Sequence, residues 1–94
     1  MALARVVSFA NVDAAHVEEL ARQVREDPQP DDIPATEFVL LHDGDSDTAM
    51  AVLFFDDEES YAKADAALNA MPAGETPGQR TSVGKYRVVG RATR

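Results

Sequence analysis

The chain is predicted to fold as an α+β domain whose four strands and two helices follow the order βαββαβ. Three observations carry this prediction. Thr48–Phe55 (TAMAVLFF) is a near-continuous apolar run stopped by Asp56-Asp57-Glu58-Glu59, which reads as a strand covered on both faces. Two segments with 3.6-residue apolar periodicity, over residues 14–26 and 56–71, flank it. A short run rich in Val and Phe begins the chain, a run with three Val and a Tyr lies near its end, and TEFVLLH precedes TAMAVLFF across a five-residue Asp/Gly/Ser segment.

The first strand is expected over Ala4–Ala10 (ARVVSFA), where Val6, Val7 and Phe9 point to both faces. Asn11-Val12-Asp13 turns the chain, and Asp13 is suited to cap a helix over Ala14–Glu26. Val17, Leu20, Ala21 and Val24 form its apolar stripe, and Glu18 and Arg22 sit at i,i+4 in the favourable order. Pro28 ends it, because its ring clashes with a further turn and it has no N–H to donate. Asp27–Pro34 (DPQPDDIP) is a stiff, solvated connector.

Thr36–His42 (TEFVLLH) is the second strand, joined to TAMAVLFF through Asp43–Asp47 (DGDSD) as a hairpin. Asp43, Asp45 and Asp47 imitate the opening of a calcium loop, but Thr48 stands where Gly is needed and Phe54 where the bidentate Glu is needed. The second helix is expected over Asp56–Met71, capped by Asp56 or Asp57, with Tyr61, Ala64, Leu68 and Met71 on one face and Pro72 as its stop. Ala73–Gln79 (AGETPGQ) is a loop, and Arg80–Arg91 contains the last strand with Gly84 at a bulge.

This element order is the split-βαβ, ferredoxin-like pattern. Right-handed crossovers put both helices on one face of a four-stranded antiparallel sheet with strand order 4-1-3-2, leaving TAMAVLFF in the interior beside the first strand. A sheet with one wet face should alternate polar and apolar residues. Phe38–Leu41 and Val52–Phe55 instead run apolar without a break, and Val6-Val7 and Val88-Val89 add pairs. Two helices roof only one face, so a second copy packed sheet to sheet is expected to cover the other.

A length of 94 residues predicts one domain, spanning 1–94. The absence of cysteine excludes disulfide scaffolds, thiolate metal sites and a Cys nucleophile. No apolar run approaches the roughly 18 residues needed to cross a bilayer, and no basic n-region precedes an apolar segment, so a cytoplasmic protein is expected. The net charge of −8 argues against nucleic acid and anionic membrane as partners. Charge is placed unevenly: residues 1–79 hold all 17 acids and four bases, a balance of −13. Residues 80–94 hold Arg80, Lys85, Arg87, Arg91 and Arg94 and no acid. The basic strand is either simply solvated or meets an acidic edge, of its own fold or of a partner.

On element order and the two-faced sheet, the chain resembles the dimeric α+β barrel superfamily, which includes antibiotic-biosynthesis-monooxygenase-like domains, haem-degrading enzymes and muconolactone-isomerase-like proteins. Pro34–Asp43 (PATEFVLLHD) and Leu68–Tyr86 (LNAMPAGETPGQRTSVGKY) resemble a family of small actinobacterial proteins of unknown function. The resemblance implies a homodimer whose last strand meets the partner's second strand, bringing Arg80, Lys85 and Arg87 towards Glu37, Asp43 or Asp45. The haem-degrading members use an Asn after the first strand, a Trp, and a His on the second helix. Asn11 is roughly placed for the first, but the chain has no Trp and its second helix has no His. Cofactor-free members use polar and aromatic residues in a cavity between sheet and helices, which here implies Tyr61, Asn69, Arg80, Ser82 and Tyr86.

Of the two histidines, His16 is expected to face solvent, and His42 stands beside Asp43, where imidazole and carboxylate together suit a general base. No metal-ligand spacing and no phosphate-binding Gly-rich loop occurs, so neither a metal nor a cofactor is expected. The 69–78 loop, with Arg80 and His42, is expected to border a ligand pocket. The functional expectation is a small-ligand-binding or non-enzymatic dimer. The alternatives are a cofactor-independent monooxygenase or isomerase acting on an aromatic or polyketide-like substrate, and an interaction subunit of a larger assembly.

Overall fold

Period-2 alternation along the central strands sorts side chains between a roofed and an open face. The computed structural model, which describes residues 2–27, 30–70 and 78–93, has β1 (Leu3–Ala10), α1 (Ala14–Glu26), β2 (Glu37–Asp43), β3 (Thr48–Phe55), α2 (Glu58–Asn69) and β4 (Gln79–Arg87). The strands form one antiparallel sheet in the order β2-β3-β1-β4, the predicted 4-1-3-2 order read from the other edge. The fold is the ferredoxin-like α+β arrangement, with the TAMAVLFF strand in the interior as its apolar run requires. Residues 28–29 and 71–77 lie outside the described residues, and with them Pro28, Met71, Pro72 and the body of the predicted 69–78 loop.

Leu3, Val7 and Phe9 of β1 and Ala49, Ala51, Leu53 and Phe55 of β3 share one face and form a single core with Val17 of α1 and Tyr61 and Ala64 of α2. Phe55 and Tyr61 meet edge to face, with ring centroids 5.4 Å apart at 71°. This is a preferred aromatic geometry. The predicted stripe of α1 is buried unevenly. Val17 is buried, Leu20 and Ala21 are half-buried, and Val24 is exposed. His16, expected to face solvent, is half-buried.

Asp13 caps α1 by accepting from the Ala15 N–H at 2.9 Å, as the sequence implies. The predicted Glu18–Arg22 pair does not form. Arg22 instead bridges Glu19, at i−3, and Glu26, 2.8 Å away at i+4. One guanidinium fork serves both carboxylates, which outcompetes a single i,i+4 contact. Gly84 is not a bulge. The ladder irregularity falls between Ser8 and Phe9, where the pairing steps from Ser82 to Arg80 and leaves Thr81 extra. Gly84 is regular strand, and the Tyr86 ring lies where a Cβ would stand, 2.5 Å from Tyr86 Cε2. Gly78 is required by a closer approach, since a Cβ there would sit 2.5 Å from the Ala10 carbonyl oxygen, which is backbone and cannot swing aside.

Asp57 rather than Asp56 caps α2, accepting from the Ser60 N–H at 2.8 Å. That backbone hydrogen bond holds the Asp57 carboxyl below its ordinary range. A carboxylate depressed in the folded state stabilises above the unfolded pKa, near ~3.9, and loses that contribution as pH falls through the lower folded value. Asp57→Ala is therefore expected to lower the thermal midpoint at pH 7. The gap to wild type should narrow below roughly pH 4, as read by thermal unfolding at the two pH values.

Candidate functional site

Helix α2 places Glu58, Tyr61, Asp65 and Asn69 at steps of three, four and four residues, which is one stripe along its axis. The stripe lies against β1 and β4, whose roofed-face residues Arg5, Lys85 and Arg80 meet it in turn. Lys85 Nζ donates to Glu58 Oε2 at 2.6 Å and stands 4.9 Å from the Tyr61 ring centroid. The Glu58 carboxylate raises the Lys85 pKa, and burial pushes the Tyr61 phenol up. Deeper in, Arg5 is 2% exposed and donates through Nε to Asp65 Oδ1 at 2.8 Å. Its Nη2 donates to Asn69 Oδ1 at 3.0 Å, and the same oxygen accepts from Arg80 Nη1 at 2.9 Å. Asn69 Nδ2 donates to Asp65 Oδ2 at 3.3 Å, closing the network.

The structure thus brings Tyr61, Asn69 and Arg80 together and adds Arg5 and Asp65, which sequence reasoning missed. It also supplies intramolecular partners for the basic end of the chain. Lys85 pairs with Glu58, Arg80 bonds Asn69, and Arg91 lies 3.6 Å from Glu37. Two of the three bases expected to reach a partner's β2 are therefore engaged within their own chain, on the helix side of β4.

The remaining candidates lie elsewhere. His42 is on the opposite edge strand from Arg80 in the same cross-strand row, His42–Ala49–Phe9–Arg80. Three strand spacings, roughly 14 Å, separate them. The 69–78 loop expected to complete a ligand site with them lies largely outside the described residues. Ser82 and Tyr86 belong to the open face, in register with Ser8 and Ala4.

That open face carries Val6, Val39, Leu41, Met50, Val52 and Phe54 in its middle, and its charged strand residues, Glu37 and Asp43, stand at the two ends of β2. Leu41 is 49% and Met50 37% exposed. The chain covers part of this face itself. Beyond β4, Val88 N–H donates to the Ala2 carbonyl, and Arg91 lies over the Phe54 ring, 4.3 Å from its centroid. The opposite end is an open groove of about 590 Å³, with Ser8, Ala10, Leu41, Asp43, Thr48 and Met50 along its wall and His42 and Thr81 at its margin. Hydrogen bonds from Ser46 and the Asp45 N–H hold the Asp43 carboxyl low, so it is anionic at neutral pH.

Among the described residues no group of three or more His, Cys, Asp or Glu could hold a metal ion, and no helix is long and apolar enough to cross a membrane. Comparison of the chain with protein-family models, curated proteins and solved structures gave no match.

Proposed function

We propose that the chain works as a homodimeric α+β barrel that binds a small molecule between its two sheets. The observation that carries this reading is the open face: its strand residues are apolar in the middle and charged only at the two ends of β2, and its own chain covers only part of it. Four strands of about eight residues span roughly 500 Å² per copy, so a face-to-face pair buries at most roughly 1,000 Å², the low end for a specific interface. An apolar centre inside a polar rim is the anatomy of such interfaces. A second copy fits the face because it brings an equal apolar area, with the charged strand residues Glu37 and Asp43 at its ends.

Roofed by that copy, the groove beside Leu41 and Met50 becomes an interior space. Its size falls within the range of small-molecule sites, and its apolar wall with a few hydroxyls has their composition. Ser8 and Thr48 supply hydroxyls and Asp43 a single carboxylate.

Native mass spectrometry of wild type and Met50→Lys tests the reading. Wild type is expected at twice the 10.2 kDa chain mass, carrying a small non-covalent adduct lost on activation. Met50→Lys places a charge in the apolar wall that the second copy would cover and is expected at the single-chain mass without adduct. Equal masses for the two proteins would overturn the interface.

A further inference from the structure

We propose that the corner between α2 and β4 is an oxyanion-binding site, where Arg80, aimed by Asn69 and the buried Arg5, takes a carboxylate or phosphate group of a small ligand. Two guanidinium nitrogens converge on one neutral oxygen, Asn69 Oδ1, at 3.0 and 2.9 Å. Those nitrogens are no more than about 6 Å apart, a separation at which like charges repel appreciably in a partly buried setting. The carboxylate in the group, Asp65, is engaged by Arg5 Nε and by the Asn69 amide. Among the described residues Arg80 forms no ion pair. Among the described residues the corner therefore carries excess positive charge on its exposed side, and an anion relieves it.

The packing of the sheet gives no reason for Arg5. A buried ion pair is commonly no more stabilising than an apolar side chain of similar volume. What Arg5 and Asp65 do together is fix the Asn69 amide with its oxygen turned to Arg80. The contact with Asn69 engages one Nη of Arg80, and a planar guanidinium held at one corner presents its other N–H groups as a fork. Such a fork matches the paired oxygens of a carboxylate or phosphate, and holding it in place beforehand lowers the entropy lost on binding. Asn69, Arg5 and Asp65 are positioning residues here, and Arg80 is the ligand-contacting one. This site is independent of the sheet-to-sheet pairing and faces the other side of the sheet.

Nuclear magnetic resonance of the full ¹⁵N-labelled chain tests the inference, with inorganic phosphate and acetate titrated separately and ionic strength held constant with sodium chloride. Saturable shifts of the Arg80 Nε–H and the Asn69 amide are expected with at least one anion, and the anion that saturates separates phosphate from carboxylate chemistry. Arg80→Gln is expected to weaken binding at least tenfold, the scale of one charge-assisted hydrogen bond. Asn69→Asp keeps an acceptor for both arginines but supplies its own negative charge. It should abolish anion binding; because the new carboxylate also faces Asp65 in place of the donated amide hydrogen bond, anion affinity rather than the thermal midpoint is the readout for this variant. Shifts no larger than those in chloride alone, or unchanged affinity in Arg80→Gln, would overturn the proposal.

Discussion

Phe55→Ala is expected to remove a large fraction of the chain's stability. Phe55 is fully buried at the end of the interior strand, where its ring meets Tyr61 edge to face and joins the single core. Truncating a buried phenylalanine costs about 3–5 kcal/mol, through lost transfer energy and the cavity left behind. A domain of this size has a total stability on the order of 5–14 kcal/mol. The thermal midpoint should fall by at least about 12 °C at matched protein concentration. Circular dichroism on heating and in urea reads this directly, and a fall of only a few degrees would mean that the core does not centre on this ring.

The second large effect concerns Arg5 and Asp65, and its sign depends on which partner is removed. Asp65→Ala leaves a buried guanidinium with only Asn69 as acceptor in this network. Breaking a fully buried pair costs about 3–5 kcal/mol, and solvent at the half-exposed Asp65 carboxylate brings the expectation to about 2–3 kcal/mol. Arg5→Met removes the charge that needs a partner and fills the site with an apolar chain of similar reach. It should stay within about 1 kcal/mol of wild type, or exceed it. The double variant should resemble Arg5→Met alone, giving a coupling energy of about 2 kcal/mol between the two sites. Urea titrations of the four proteins complete the cycle, and additive effects would show that the two residues do not act as a pair.

Most of the fold could be read from the sequence, because its signals are local and agree with one another. The helix over Ala14–Glu26, its Asp13 cap and the Thr48–Phe55 strand all rest on periodicity and capping chemistry that tertiary packing does not overturn. The strand order follows from the handedness of the crossovers. The site was less legible. Arg5 reads as part of an unremarkable N-terminal strand until the period of two is applied strictly; it then shares a face with Leu3, Val7 and Phe9 and must enter the core. The matching signal was the polar stripe of Glu58, Tyr61, Asp65 and Asn69, hidden beside the apolar stripe of the same helix. The basic end of the chain announced that it needed acids without saying which ones, since a charge acts in all directions while a hydrogen bond does not. The route of Val88–Thr93 along the sheet, with Arg91 over Phe54, has no local signature, and neither did the shift of the ladder irregularity from Gly84 to Thr81.

Sedimentation of the wild-type chain across nanomolar to micromolar concentration addresses the open sheet face most directly. The face described here predicts a species of twice 10.2 kDa that persists into the low micromolar range and dissociates on dilution. A single 10.2 kDa species at every concentration would contradict it, and would mean that the chain itself is enough to shield Leu41, Met50 and their neighbours from water.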